Sequence, residues 1–380
     1  MTTTTNTTAP PTAEEAPRTP LSMRLGRFSA LFLFLGFIIL FGIITGDTFF
    51  TRTTWKLTFS EGVVTAMIAL AFLVPLVAGV YDLSVGAMMG LSLVILNWFG
   101  VNQRGVPVAL VAVMAIAICA AVGFLSGVIV VKFRVNSLIA TLGMSQVLIA
   151  FQLKIANNRQ ITGAFAKSWA RLGTRDVVGV PIVVLYLLAL AIVLWFILEH
   201  TPVGRYLFAV GGNPDAARLA GLDVERLTYG SLMASATIAG LAGVIFSMKV
   251  GTYSSSTGPG LLFPALAAVF FGASQFTRRP NVWGTLVAYF ALAFGVKGLQ
   301  LAFGPGTFWI QPLFQGVALL IAVALASREV GETRRSRRLQ REASLAAEAA
   351  APVSIPPPGP TTSPTSTESP GGSASVDVQQ

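Results

Sequence analysis

Of 380 residues, one is cysteine and one is histidine. A lone Cys119 can form neither an internal disulfide nor a cysteine-based metal site. A lone His200, beside Thr201-Pro202, reads as an ordinary loop residue and leaves histidine chemistry nothing to work with. Charge is scarce too: 11% of residues are Asp, Glu, Lys or Arg, against about 25% in a soluble domain. No G-x-x-x-x-G-K-[ST] stretch occurs, so the sequence offers no nucleotide-binding loop of that kind for ATP. Alternation of period two is missing, which argues against an outer-membrane barrel. The first 22 residues are rich in Thr and Pro without an apolar core, unlike a secretory signal, so the first apolar span is expected to stay uncleaved.

What fills the chain instead is apolar: 54% of residues are hydrophobic and the mean hydropathy is +0.72. Stretches of roughly 17–25 such residues, enough to cross a hydrocarbon core of about 30 Å, recur along it. They lie near 28–46, 62–80, 85–100, 106–131, 138–155, 178–199, 229–250, 261–275, 283–302 and 306–327. The pattern predicts an all-α polytopic membrane protein of about ten transmembrane helices, with 62–100 readable as two spans or as one span and a re-entrant piece. Residues 1–27 read as a disordered cytoplasmic N-terminus, 28–327 as the membrane domain with a cytoplasmic loop at 200–228, and 328–380 as a cytoplasmic tail. In that tail 331–350 suits a helix or a basic segment on anionic lipid, and 351–380 is too polar to bury a core.

Net charge is +10. With both termini inside, Lys132, Arg134, Arg205, Arg218, Arg226, Arg278, Arg279 and the six arginines between 328 and 341 fall on the inner side. Fewer cations, among them Arg52, Lys56, Arg159 and Lys167, fall outside, as the positive-inside rule requires. No basic face interleaved with aromatics accompanies them, so nucleic acid is not an expected partner. The lipid bilayer is.

One polar island interrupts the spans. In Gly204 to Gly221, Asn213 suits a helix N-cap, Pro214 the first helical position and Asp215 the positive end of the dipole. Gly221 suits the stop. The result is a capped helix of about two turns carrying the small residues Ala216, Ala217 and Ala220, shaped to plug a groove on another protein.

Asp215-Ala216-Ala217 followed after three positions by Gly221 resembles the EAA-x-x-x-G coupling loop of ABC importer permeases, with Asp for Glu. The lead-in Gly204-Arg205-Tyr206 and Gly211-Gly212-Asn213 is similar to that of ribose- and xylose-type monosaccharide permeases. Asp82-Leu83-Ser84-Val85-Gly86 and Val135-Asn136-Ser137-Leu138-Ile139-Ala140-Thr141-Leu142-Gly143 match two further motifs, in the family's order, so that the resemblance runs over about 25–327. It implies a permease subunit of a bacterial inner-membrane importer for a monosaccharide or small polyol. It further implies ABC ATPase subunits that hydrolyse ATP on a separate chain, an extracytoplasmic substrate-binding protein, and a second permease copy or homologue. This chain would bind no cofactor or metal and carry no catalytic residue. Rival readings are an ABC permease for branched-chain amino acids or nucleosides, an ion-coupled secondary transporter, and a scaffold without transport.

Ionisable residues at membrane depth are costly and tend to face protein or water. Asp82 and Lys297 are the candidates read from the sequence. Asp82 suits either a helix cap near Ser84 or a place on the translocation path. Lys297 suits snorkelling or the path, and Asn136 and Thr141 suit helix-to-helix contacts or pore lining. The chain departs from the family where Leu262-Phe263 replace a Glu-Leu pair, Arg278-Arg279 replace a glycine pair, and Lys297 replaces an Asn. Leu266-Ala267-Ala268 and Gly272 keep the pattern. A site made positive in this way would suit a negatively charged substrate such as a sugar acid.

Overall fold

A computed structural model describes residues 29–321, apart from 104, 164, 274–278 and 305. The two terminal segments expected from the sequence, and Arg278, lie outside the described residues. The helices are α1 (Ser29–Thr45), α2 (Arg52–Val77), α3 (Val85–Asn102), α4 (Val108–Lys132), α5 (Ser137–Ile155), α6 (Lys167–Thr174) and α7 (Ile182–His200). They continue with α8 (Pro202–Gly212), α9 (Pro214–Leu219), α10 (Val224–Lys249), α11 (Thr257–Gly260), α12 (Leu262–Ala273), α13 (Val282–Phe303) and α14 (Ile310–Ile321). Two antiparallel pairs of two-residue strands complete it, β1 (Ile161–Thr162) with the distant β4 (Thr252–Tyr253) and the hairpin of β2 (Asp176–Val177) with β3 (Val180–Pro181).

Eight helices among the described residues are long and apolar enough to cross a membrane: α1, α2, α3, α4, α5, α7, α10 and α13. The protein is therefore an all-α polytopic membrane protein. The stretch 62–100 is two helices, broken at 78–84. Two of the ten expected spans are shorter. The one at 261–275 is described as α12 over 12 residues, about 18 Å, up to the undescribed residues 274–278. The other is α14, described only to Ile321. The second span also begins earlier than its hydropathy suggested, at Arg52 rather than 62. Thr51 caps it by accepting from the Thr54 amide, which draws the polar lead-in 52–61 into helix.

α2 forms the centre of the bundle, with every residue from Gly62 to Val74 buried. Around it the small residues seen in the sequence do the packing that lipid-embedded helices require. A Cβ on Gly123 of α4 would stand 2.5 Å from Ala236 Cβ of α10, and one on Gly243 of α10 would stand 2.5 Å from the Met89 carbonyl oxygen of α3. The outer faces of α1 and α4 expose Ile43, Ile39, Val113 and Leu110, as lipid-facing surfaces do. α1 meets the rest through an aromatic cluster built on Phe41, Phe49 and Phe294.

A close approach joins α3 and α11. A Cβ on Gly86 would lie 2.6 Å from the Gly258 carbonyl oxygen, and a Cβ on Gly258 would lie 2.2 Å from that of Gly86. Two backbones touch there with no side chain between them. The loop after α10 thus folds back against the first turn of α3. Gln152 of α5, fully buried, closes the same junction by donating to the Ala87 carbonyl at 3.0 Å.

Loops gather at two ends. At one, Lys56 pairs with Asp176, and β1 with β4. At the other, Arg279 pairs with Glu199 at 2.5 Å and covers the Phe208 ring at 4.4 Å.

Candidate functional site

The island folds as its caps dictate, and adds a helix that the sequence did not announce. Pro202 sits in the first turn of α8, which carries Gly204 and Arg205 and ends at Gly212. Gly204 is buried where a Cβ would meet the Leu198 carbonyl at 2.1 Å, while Arg205 and Gly212 are exposed. The chain then turns at Asn213, whose Oδ1 accepts from the Asp215 and Ala216 amides at 3.1 and 3.0 Å. α9 closes with Leu222 N donating to Ala217 O and Gly221 N to Arg218 O, both at 3.0 Å. Gly221 has φ of +83°, the left-handed conformation such a stop demands.

α9 presents its surface differently from the expected small-residue plug. Ala217 is its one buried residue and packs against this chain's own body. Asp215, Ala216, Arg218 and Ala220 face outward, and Leu219 is 91% exposed. Leu219 stands outward between Arg218 and Ala220, and a bulky residue at 217 would first unseat α9 itself.

Asp82 occupies the break between α2 and α3, 1% exposed. Its Oδ1 accepts from the Ser84 amide at 3.0 Å and the Ser84 hydroxyl at 2.5 Å, so it braces the residue that begins α3. α5 holds the same bend. Thr141 Oγ1 accepts from the Leu83 amide at 3.0 Å and donates to the Ser137 carbonyl at 2.7 Å. The Ser137 hydroxyl accepts from the Tyr81 amide at 3.2 Å. Asn136 is exposed and caps α5 through the Leu138 amide at 2.9 Å. Asp82, Ser84 and Thr141 thus come together, and Asn136 stands at the edge of the group.

The island and this bend touch. A Cβ on Gly211 of α8 would lie 2.1 Å from the Val77 carbonyl, and a Cβ on Gly79 3.1 Å from Gly211 Cα. The end of α8 therefore rests on the backbone that leads from α2 to Asp82.

Lys297 stands apart from both. It is half-buried on α13, has no ion-pair partner among the described residues, and lines a cavity of about 170 Å³ between α2, α13 and α14. Glu61 of α2 lines the same cavity. The sequence reading missed it because the span was begun at 62; the Thr51 cap and the amphipathic lead-in were the signals available. The local field is consequently not simply positive. Of the departures from the family pattern, Leu262 packs against the core while Phe263 is 60% exposed.

Comparison with known proteins agrees with this architecture. Residues 56–324 match the family described as branched-chain amino acid transport system / permease component. The fructose import permease protein of Rhizobium meliloti is 33% identical over 302 residues, 76% of this chain and 81% of the relative. The ribose import permease protein of Escherichia coli K12 is 29% identical, covering 78% of this chain and 92% of the relative. The D-allose transport system permease protein of the same strain is 27% identical over 82% of this chain and 96% of its own length. No solved structure matches. With the match running from α2 through α14, the chain belongs to this family of transport-system permease components.

Proposed function

We propose that this chain is the transmembrane permease subunit of an ATP-driven importer for a monosaccharide or closely related polyol. The observation that carries the reading is α9: capped at Asn213, seated by Ala217 alone, and holding Leu219 outward at one end of the bundle. A short helix presented in this way is a docking element for ATPase subunits, which would supply the hydrolysis this chain has no loop to perform. A substrate-binding protein would meet the opposite end, and a second permease copy or homologue would complete the path. The positive-inside distribution supports a cytoplasmic α9 and cytoplasmic termini in a bacterial inner membrane. Closure of the ATPases would move α9 and α8, and with them the Gly211 contact at the end of α2, switching the path between inward- and outward-facing arrangements.

The family's description favours branched-chain amino acids, whereas the relatives above are named for sugars. The cavity beside Lys297 supports sugars, because its wall carries Thr, Gln, Glu and Lys side chains that an aliphatic side chain would leave unpaired.

The test is uptake by cells carrying this permease together with its ATPase and binding protein. Labelled D-ribose and D-fructose are expected to enter in competition with one another and not with leucine. Leu219→Asp should reduce co-purification of the ATPase and abolish uptake while the permease still inserts. Leucine uptake, or normal sugar uptake by Leu219→Asp, overturns the reading.

A further inference from the structure

Two features of the Lys297 cavity separate it from the rest of the bundle interior. It lies near the same end of two helices: Glu61 is nine residues from the start of α2 and Lys297 six from the end of α13, about 14 and 9 Å down their axes. Both ends are the end opposite α9. Its wall is also two-sided. Glu61 and Thr58 come from α2, Lys297 and Gln300 from α13, and Gln311 and Gln315 from α14, while Leu261, Pro264, Leu292, Ala293 and Val296 make the wall apolar between them.

Donors and acceptors therefore share the wall with aliphatic side chains. A carboxylate accepts hydroxyl protons, an ammonium donates, and carboxamides do both. Glu61 is exposed although the thirteen residues that follow it are all buried. A carboxylate at that depth is costly unless it faces water or a polar ligand. Glu61 and Lys297 form no ion pair across the space, so each keeps its hydrogen-bonding capacity for an occupant. Lys249, the other cation near Glu61, is engaged with the Ser60 carbonyl at 2.7 Å. The cavity holds one acid and one base, and its volume of about 170 Å³ compares with the roughly 10–15 Å³ that admits one water on the same measure. That is room for one small ring.

We propose that this cavity is a recognition station at the outer end of the path, for neutral polyhydroxylated rings rather than sugar acids. Glu61 accepts from ring hydroxyls, Lys297 and the glutamines donate to ring oxygens, and Val296 with Ala293 takes the C–H face. The balancing acid that the sequence sought at Leu262 is supplied by α2. The proposal rests on the sugar-importer reading, and its test keeps the two apart.

The assay uses the complete complex of this chain, its ATPase and its binding protein in proteoliposomes. If wild type imports neither D-ribose nor D-fructose, the importer reading fails. If it imports either, Glu61→Gln and Lys297→Gln are each expected to cut the uptake rate about tenfold, the size of one charge-assisted hydrogen bond. Binding-protein-stimulated ATP hydrolysis should persist. Wild-type uptake in both variants overturns the station, and so does loss of uptake together with hydrolysis, which would mean a role in assembly. A second readout needs neither charge variant. Gln311→Cys can be labelled on a background whose Cys119 is buried. D-Ribose or D-fructose should slow that labelling at least fivefold and D-gluconate should not. Equal protection by gluconate, or no protection by any of the three, overturns the proposal.

Discussion

Replacing Asn213 with alanine removes the two hydrogen bonds its Oδ1 accepts from the Asp215 and Ala216 amides. An N-cap of this kind contributes about 1 kcal/mol. α9 has little to set against the loss, since it is six residues long with Ala217 as its single buried side chain. A helix of that length has no stability of its own, so the change falls on its local opening equilibrium and shifts it about fivefold. Hydrogen exchange of a peptide spanning 211–224, followed by mass spectrometry on the chain in nanodiscs, should run about fivefold faster in Asn213→Ala. Asn213→Asp keeps an acceptor oxygen and should exchange like wild type. Gly221→Ala, forced to hold φ of +83°, should resemble Asn213→Ala, because the left-handed conformation costs a residue with a Cβ about 1–2 kcal/mol. The argument is refuted if Asn213→Ala exchanges at the wild-type rate, or if Asn213→Asp opens as readily as the alanine variant.

Gly258→Ala places a methyl 2.2 Å from the Gly86 carbonyl, and should lower stability by about 1–3 kcal/mol, seen as a reduced melting temperature in detergent. Asp82→Ala strips the buried Ser84 amide and hydroxyl of their acceptor and should cost about 1–3 kcal/mol; Asp82→Asn, keeping one acceptor oxygen, should recover part of it in the same melt. Lys56→Ala breaks a pair whose side chains are 37% and 38% exposed, and should change stability by less than about 1 kcal/mol; a large drop in melting temperature would contradict this.

What could be read from the sequence was what local chemistry decides. Asn213, Pro214 and Gly221 each act on their immediate neighbours, so the start and stop of α9 were legible without any knowledge of the bundle. Spans such as 85–100 and 138–155 were legible because apolar length alone sets them. The orientation of Ala217 was not, because which side of a six-residue helix faces home depends on α8 and α10. The start of α2 was obscured by Thr53, Thr54 and Lys56, whose polarity hides a helix that the Thr51 cap initiates, and Glu61 was lost with it. The Gly86–Gly258 contact joins residues far apart in the chain, and spacing within either segment gives no sign of it. Asp82 stood out as an acid at membrane depth, yet Ser137 and Thr141, which hold the neighbouring Tyr81 and Leu83 amides, belong to a motif read separately.

Side chains yield to pressure by changing rotamer, and backbones cannot. At two points along one route this protein has dispensed with the yielding part. Leu261 lines the outer cavity three residues beyond Gly258, which bears on Gly86; Gly86 stands four residues past Asp82; and Gly79, three before Asp82, lies against Gly211 at the root of α9. Glycine at each contact removes the slack that a methyl or an isopropyl group would provide. A small displacement of the loop above α3 therefore reaches the Asp82 bend, and one of α8 reaches it from below, without being absorbed on the way.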